Sequence, residues 1–461
     1  MNRSSVNRAV SPVMSQLSRY IAQALRKPLP APVLEKTKHH VLDTLAAMLS
    51  GSRLLPGRKA ISFARTLGGP GEATVIGSRI LTGAINAALA NGMLAHADET
   101  DDSHAASLTH PGCGVVPAAL AMAERERRGG MALLRAVALG YDVCARLTMS
   151  LDAYEFREDG HSTHSFGPMF GAAAAAGALA GLKEAQVPHL LSYAAQQASG
   201  ISCWMRDEEH IEKAFDFGGM PARNGVAAAA MVAHGFTGVD DVFSGERSFF
   251  VAYGRKPQPE RLVRGLGESY EIMNTNIKRW SVGSPIQAPL DSLDELLREH
   301  RFKADDVEHM VVRVAHQGAN TVNNRDMPDI CMQHMCAVML LDGTVSFKSS
   351  HDEKRMRDRR VLALRQKIEL LGDDALSAAM PSRQGIVELK LRDGRSLRHH
   401  TKAVHGTAEN PMTRAEVDAK SYDLVLPVIG PSRSRKLCDT VWQLQRLADV
   451  RKLRPLLQGK L

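Results

Sequence analysis

The sequence predicts a mainly α-helical protein, with a large all-helical domain and a smaller α+β lid domain. Two observations indicate the helical domain: apolar residues recur at three- and four-residue spacing from Ser15 to Ser150, and several segments consist largely of Ala and Gly. A third observation indicates the lid, because segments rich in β-branched residues follow residue 300. At 461 residues, the chain is long enough for two such folding units.

The helical pattern is clearest in Val41–Leu49 and Leu133–Tyr141, where the apolar residues would share one helix face. Other segments are dominated by residues so small that we expect buried helices in close contact. These segments are Asn86–His96, Gly171–Gly181 and Val226–Ala233.

The lid pattern follows the stretch Gly254–Gly267, whose prolines and glycines interrupt the helical periodicity. His309–His316 and Ile386–Leu391 have the composition of strands. The Asp393-Gly394 pair predicts a hairpin turn from the second of these to another strand.

A helix start follows the lid, because Thr413 and Glu416 have the spacing of a capping box. We therefore expect the chain to return to the helical domain. The predicted division is residues 1–272 and 406–461 for the helical domain and residues 273–405 for the lid.

The composition, 44% hydrophobic and 23% charged, is typical of a soluble globular protein, and no apolar run is long enough to cross a bilayer. The six cysteines form no C-x-x-C pair, which favours a cytoplasmic location. The net charge is +8, but only 5% of residues are aromatic and none alternate with a basic run. We therefore expect a small acidic ligand rather than a nucleic acid or a membrane.

The densest polar segment is His96–Pro111, HADETDDSHAASLTHP, directly after a small-residue helix. Carboxylates and imidazoles crowded at a helix end can have pKa values that are driven apart, as general acids and bases require. A polar capping loop is the alternative interpretation. A metal site is disfavoured because no H-E-x-x-H or comparable spacing is present.

Three other positions are candidates for binding or reacting with a carboxylate. His161 lies in a loop before a predicted helix, whose N-terminal N–H groups attract anions. Lys213 precedes a Gly-Gly pair, and Lys278 and Arg279 lie near the predicted domain junction, where ligand clefts commonly form. Taken singly, a structural histidine and a surface lysine are the simpler interpretations.

In their order along the chain, these segments resemble the MmgE/PrpD family, which includes 2-methylcitrate dehydratase and cis-aconitate decarboxylase. The resemblance covers nearly the whole chain and rests on many short motifs. They are LDTL from Leu42, GEAT from Gly71, AALANG from Ala87, DDSH from Asp101, HPG from His110, FG from Phe166, GFTG from Gly235, IKRW from Ile277, LDG from Leu341 and NPMT from Asn410.

The resemblance implies a helical domain formed by both ends of the chain, a lid formed by its middle, and a homodimer. It also implies an active site between the domains that uses no metal ion or other cofactor. The catalytic residues that it suggests are His110, His161, Lys213, Glu99 and Ser103, and the substrate-binding residues are Lys278, Arg279, His104 and Asp102.

The implied activity is that of a hydro-lyase acting on a hydroxylated di- or tricarboxylate such as 2-methylcitrate, a reaction of propionate metabolism. Lys213 and Lys278 would stabilise the charge that develops when a proton leaves the carbon beside a carboxylate. His110 or His161 would transfer the proton. Epimerisation or decarboxylation of a related acid would use similar chemistry, and a non-catalytic anion-binding relative would keep only the fold.

The chain also departs from the family pattern. Glu99 and Ser103 stand where decarboxylase-like members carry Asp and Thr, and Asp216 stands where many relatives have His. Around Phe217–Pro221, the spacing to Gly225 is one residue longer than usual. These departures indicate a reshaped substrate pocket.

Overall fold

The computed structural model describes residues 10–459 and is mainly helical with only small sheets, which confirms the predicted fold class. Residues 1–9 and 460–461, which the sequence analysis assigned to the helical domain, lie outside the described residues. Within residues 10–459, no helix combines the length and the apolar character that crossing a bilayer requires.

The first part of the chain is helical except for one short hairpin, β1 (Ala73–Thr74) and β2 (Leu81–Thr82). Its helices are α1 (Pro12–Gln23), α2 (Ala31–Gly51), α3 (Leu55–Thr66), α4 (Ala84–Ala95), α5 (Pro111–Arg125), α6 (Gly130–Ser150), α7 (Ala153–Glu158), α8 (Thr163–Leu179), α9 (Val187–Gln196), α10 (Ile211–Ala214), α11 (Met220–Ala233) and α12 (Phe249–Tyr253).

The remainder contains the larger sheet and the C-terminal helices. Its elements are α13 (Ser284–Glu299), β3 (Val307–Ala315), α14 (His316–Val322), α15 (Met332–Asp342), α16 (Phe347–Ser350), α17 (Arg359–Arg365), β4 (Ile368–Asp373), α18 (Asp374–Ala378), β5 (Gly385–Leu391), β6 (Ser396–Thr401), α19 (Arg414–Ile429), α20 (Pro431–Trp442) and α21 (Arg454–Leu457).

One apolar core extends from Met14 to Ile277 and is completed by the helices α19 to α21. Helix α8 is buried over its whole length, because its small residues allow α5, α6 and α11 to pack directly against it. The small-residue segments predicted to be buried helices fall in α4, α8 and α11. The interrupted stretch at Gly254–Gly267 contributes Leu262 to this core, so the compositional break lies inside the helical part of the chain.

A second apolar core extends from Trp280 to Leu391 and surrounds a four-stranded sheet of order β4-β3-β5-β6. Strand β3 pairs in parallel with β4 and antiparallel with β5, and β5 pairs antiparallel with β6. The predicted hairpin turn joins β5 to β6, and Gly394 there has the positive φ of 90° that such a turn needs. Helices α13 and α15 pack against the sheet.

The chain then returns to the helical part through α19, which packs against α2. The predicted capping box is present at its start: Glu416 N donates to Thr413 Oγ1 at 3.3 Å, and Thr413 N donates to the Glu416 carboxylate at 2.8 Å. Local sequence therefore fixes the point at which this helix begins.

A π-helical turn, Phe215–Gly219, lies between α10 and α11. A π-turn is where a helix accommodates an additional residue, which matches the longer spacing seen in the sequence here. The turn lies so close to α4 that a Cβ added to Gly92 would be 2.2 Å from the carbonyl oxygen of Gly218. This backbone contact positions the buried ring of Phe217.

We expect Gly92→Ala to lower the free energy of unfolding by about 1–3 kcal/mol, because the two backbones must separate to admit the methyl group. Urea unfolding measures the change. The control is Gly68→Ala, where an added Cβ meets no atom within 4 Å. Equal losses of stability in the two variants would contradict this account of the contact.

Candidate active site

Buried polar side chains and the half-buried Lys213 converge where several helices of the first core begin or end, and we call this group the polar centre. Because α4, α5, α8 and α11 pack together, their ends bring these groups close to one another. The members are His96 at the end of α4, Glu99 and Asp101 in the following loop, His110 before α5, His164 in the first turn of α8, His210 before α10, Lys213 in α10, and Lys278 in the segment leading to the lid.

Glu99 pairs with two lysines at once. One carboxylate oxygen contacts Lys213 Nζ, and the other lies 3.3 Å from Lys278 Nζ. The side chains of Glu99 and Lys278 are only 8% and 2% exposed, so both charges are largely removed from water. Burial by itself raises the pKa of Glu99, but the charges of Lys213 and Lys278 outweigh it and hold this pKa well below its usual value.

The Asp101 carboxylate contacts two histidines: one oxygen lies 3.0 Å from His96 Nδ1, and the other lies 3.0 Å from His110 Nδ1. Burial opposes ionisation of Asp101, but the two imidazoles hold its pKa well below the usual range. Burial lowers the pKa of His110 to about 4, although the Asp101 charge acts in the opposite direction. At neutral pH, therefore, Asp101 is charged and His110 is neutral. Its Nδ1 then donates to Asp101, and Nε2 is left as a proton acceptor with no hydrogen-bond partner among residues 10–459.

Phe217 supplies an apolar surface for these imidazoles. The rings of His96 and His164 stack on Phe217 with centroids 4.3 Å and 3.8 Å from it, and His110 meets the same ring edge-on. Burial lowers the pKa of His164 and of His210 well below the usual value. The polar centre therefore combines the neutral imidazoles of His110, His164 and His210 with two lysines in a largely buried environment.

A cavity of about 550 Å³ lies between the helical part and the lid, and it reaches the polar centre at Lys278. Ser103 and His104 line it from the helical side. The lid lines it with Ala379 and residues 381–383, and the segment 403–409, where the chain returns to the helical part, completes this side. A cavity in this position, between two apolar cores, can enclose a ligand.

The structure brings together four of the residues suggested by the sequence: Glu99, His110, Lys213 and Lys278. Ser103 and His104 lie beside them on the cavity wall. The ring of His104 is held on both sides, since Nδ1 contacts Ser107 Oγ at 2.8 Å and Nε2 lies 3.3 Å from the Glu271 carboxylate.

Asp102 does not face the cavity, contrary to the expectation that it binds substrate. Its carboxylate accepts from Tyr141 Oη at 2.5 Å and from Gly112 N at 2.9 Å, and it contacts His40 Nδ1 at 2.7 Å. These contacts attach the loop to α2, α5 and α6. Asp102 is thus occupied in holding the loop that carries Glu99.

Arg279 also lies apart from the polar centre. Its guanidinium pairs with Asp294 at 2.9 Å and covers the ring of Trp280 at 4.2 Å. His161 stacks on Phe156 at 4.5 Å, with no contact to the polar centre among the described ring pairs. The side chains of Arg279 and His161 therefore do not join Lys213 and Lys278, with which the sequence analysis grouped them.

Sequence reasoning did not place Asp101, His96, His164 or His210 among the candidate site residues, although the first two lie in the polar segment His96–Pro111. His164 had a usable signal: it lies eight residues before the start of a run of five alanines, so the first turn of a fully buried helix had to face other helices. Asp101 had no such signal in the sequence, because its neighbour Asp102 is also an aspartate. The two differ only in the direction in which their side chains point.

Two groups at or beside the polar centre have the composition of a metal site: His96 with Asp101 and Cys113, and His96 with Glu99 and His210. His96, Glu99 and His210 each offer an atom within 4.8 Å of the others, and both histidines have a buried Nε2 without a hydrogen-bond partner. Glu99, however, already pairs with Lys213 and Lys278, whose charges oppose a cation at this place. The residues suit an anion better than a metal ion.

Comparison with known proteins identifies two family domains that together cover most of the chain. Residues 15–262 match the MmgE/PrpD N-terminal domain and residues 280–444 match the MmgE/PrpD C-terminal domain. A cis-aconitate decarboxylase of Aspergillus terreus is 25% identical, over 99% of this chain and 98% of its own length. A cis-aconitate decarboxylase-like protein of Aspergillus oryzae is 25% identical, over 97% of this chain and 98% of its own.

The lid contacts the helical part beside Glu99 through a buried ion pair. His351 Nε2, on the lid, lies 2.9 Å from the Asp98 carboxylate. Burial by itself lowers the pKa of His351, but the hydrogen bond and charge of Asp98 outweigh it and raise the pKa to about 9. The pair is therefore charged at neutral pH and holds the two parts together.

This ion pair predicts a pH-dependent stability. The pKa of an unfolded histidine is about 6.5, so the pair stabilises fully below that pH, and its contribution is lost as the pH rises through about 9. We expect the stability advantage of the wild type over His351→Gln to shrink by roughly 2–4 kcal/mol between pH 6.5 and pH 9. Urea unfolding across this range measures it. His309→Gln, on an exposed strand position, is the control, and an advantage that does not change with pH would contradict the ion pair.

Proposed function

The chain belongs to the MmgE/PrpD family, and we propose on that premise that it is a lyase that removes water from a hydroxylated di- or tricarboxylate such as 2-methylcitrate. The family and its relatives support the broader statement, a dehydratase- or decarboxylase-type activity on carboxylic acids. The particular reaction and substrate are the proposal.

The observation that carries the proposal is the pair of lysines around Glu99, beside the neutral His110. Removing a proton from the carbon next to a carboxylate places a second negative charge on an already anionic group. Fixed positive charges in a site with little water offset that charge most effectively. Lys213 and Lys278 supply them, and a substrate carboxylate that replaces Glu99 in this pairing would receive both.

His110 is the group that we assign to proton removal. Its Nδ1 is fixed by Asp101, which orients the ring and stabilises the imidazolium that forms when Nε2 takes the proton. The electron pair left on the carbon then forms the double bond as the C–O bond to the hydroxyl group breaks. The departing hydroxide takes a proton from a second acid and leaves as water.

Decarboxylation is the second candidate, and the named activity of the relatives favours it. In that reaction the C–C bond to a carboxylate breaks, CO₂ leaves, and the electron pair stays on carbon. The same lysines would stabilise the resulting carbanion, and a protonated His110 would donate to it. The two reactions therefore use the same residues but differ in the product and in the protonation state that His110 must have at the start.

Deuterium exchange tests the shared step. We expect the wild type in deuterated buffer to exchange or convert at least one acid among 2-methylcitrate, citrate and cis-aconitate, as followed by NMR. His110→Gln should slow this about 10²- to 10⁴-fold, while the exposed His309→Gln should not. An unsaturated product without CO₂ indicates dehydration, and CO₂ release indicates the second candidate. Binding of these acids without exchange or conversion would instead favour a non-catalytic anion-binding protein.

The contribution of Lys213 can be measured separately. We expect Lys213→Met to lower the exchange rate by at least about 100-fold, because one of the two charges beside the reacting carboxylate is lost. Lys183→Met, at an exposed position, is the matched control. An undiminished rate in Lys213→Met would remove this lysine from the mechanism.

A further inference from the structure

The loop between α4 and α5, which carries Glu99 and Asp101, is held by its backbone as well as by its side chains. Lys278 Nζ donates to the Glu99 carbonyl oxygen at 2.8 Å, and Lys420 Nζ donates to the Thr100 carbonyl oxygen at 3.1 Å. The Thr100 carbonyl belongs to the peptide group that leads directly into Asp101. Lys420 therefore contacts the backbone between the two acids of the polar centre.

Lys420 reaches this carbonyl from α19, although it lies 320 positions further along the chain. The same Nζ lies 2.6 Å from Asp43 Oδ1, in α2. Both side chains of this ion pair are buried. The ammonium group of Lys420 thus makes two contacts away from water, one with a carboxylate and one with a backbone carbonyl.

The two partners of Lys420 both require it. Burial raises the pKa of Asp43 to about 6, although the charge of Lys420 acts in the opposite direction, so this carboxylate is ionised at neutral pH and needs a cation. Thr100 is fully buried, and among residues 10–459 no other group donates to its carbonyl oxygen. A buried carbonyl without a donor is costly.

The other polar groups of Thr100 are held from the opposite direction. Thr100 N and Thr100 Oγ1 both donate to the Asp98 carboxylate, at 3.0 Å and 2.6 Å. Asp98 therefore holds the donors of this residue while Lys420 holds its acceptor. Loss of Lys420 would free the peptide group to rotate on one side only, toward Asp101.

We propose that Lys420 is a positioning residue, which fixes the directions of Glu99 and Asp101 by holding the carbonyl oxygen of Thr100. Lys420 is absent from the described residues that line the cavity, so it acts through the two acids. The expected effect on turnover rests on the proposed function. A displacement of about 1 Å in a reacting group can slow an enzyme about 100-fold.

A double variant separates positioning from stability. Lys420→Met alone would leave the buried Asp43 without its cation, and we expect it to destabilise the fold. Asp43→Leu combined with Lys420→Met removes both charges, so we expect urea unfolding close to that of the wild type, while the Thr100 carbonyl still lacks its donor. If this protein does not fold, Asp43→Asn with Lys420→Met, which keeps the shape of the first side chain, replaces it.

The matched control is Arg414→Gln. It removes another ion pair between α19 and α2, in which Arg414 Nη1 lies 3.4 Å from the Glu35 carboxylate, but it leaves the contact with Thr100 intact.

Backbone amide hydrogen exchange, followed by mass spectrometry, tests the position of the loop without a substrate. We expect the peptide that covers residues 98–103 to exchange at least tenfold faster in the double variant than in the wild type or in Arg414→Gln. Exchange within twofold of the wild type, in a folded double variant, would overturn the inference.

Turnover provides the second measurement. For an acid that the wild type converts, we expect kcat to fall about 10- to 100-fold in the double variant without a rise in KM, because Lys213 and Lys278 remain while the two acids move. A kcat within twofold of the wild type would overturn the inference even if amide exchange is faster. A higher KM at unchanged kcat would also overturn it, since that result indicates a loss of binding.

Failure of the proposed function is distinguishable from these results. If the wild type converts none of the acids, the lyase activity fails, and amide exchange alone decides whether Lys420 holds the loop. If the acids are converted and the double variant is normal in both measurements, the lyase activity stands and the positioning role does not.

Discussion

The pairing of one buried carboxylate, Glu99, with Lys213 and Lys278 is the interaction on which the candidate site depends. Its three members come from the loop after α4, from α10 and from the segment that leads to the lid. Burial opposes the charge on Glu99, and the charges of Lys213 and Lys278 keep the carboxylate ionised in this position. The pairing thereby connects the helical core, through Glu99 and Lys213, to the segment that leads to the lid, through Lys278.

Two largely buried histidines, His110 and His351, have different charge states at neutral pH. His110 is neutral because burial lowers its pKa to about 4 even though Asp101 adjoins it. His351 is charged because Asp98 raises its pKa to about 9 in spite of burial. The first arrangement leaves a nitrogen free to accept a proton, whereas the second joins the lid to the helical part. Both histidines lie beside an acid, so their different charge states depend on the other charges that act on each imidazole.

The charges of Lys213 and Lys278 in the polar centre are matched by those of Glu99 and Asp101. This balance suits a place where charge develops only during the reaction.

The sequence by itself determined the elements whose signals are local: the small-residue helices, the Asp-Gly hairpin and the capping box at Thr413. Its resemblance to a family also placed Glu99, His110, Lys213 and Lys278 among the candidates. Only the tertiary structure decided that Asp101 faces the polar centre while Asp102 anchors the loop, and that His164 rather than His161 joins it. The physical reason is that a side chain's direction and charge depend on partners far away in the chain, as Asp102 depends on Tyr141 and Glu99 on Lys278.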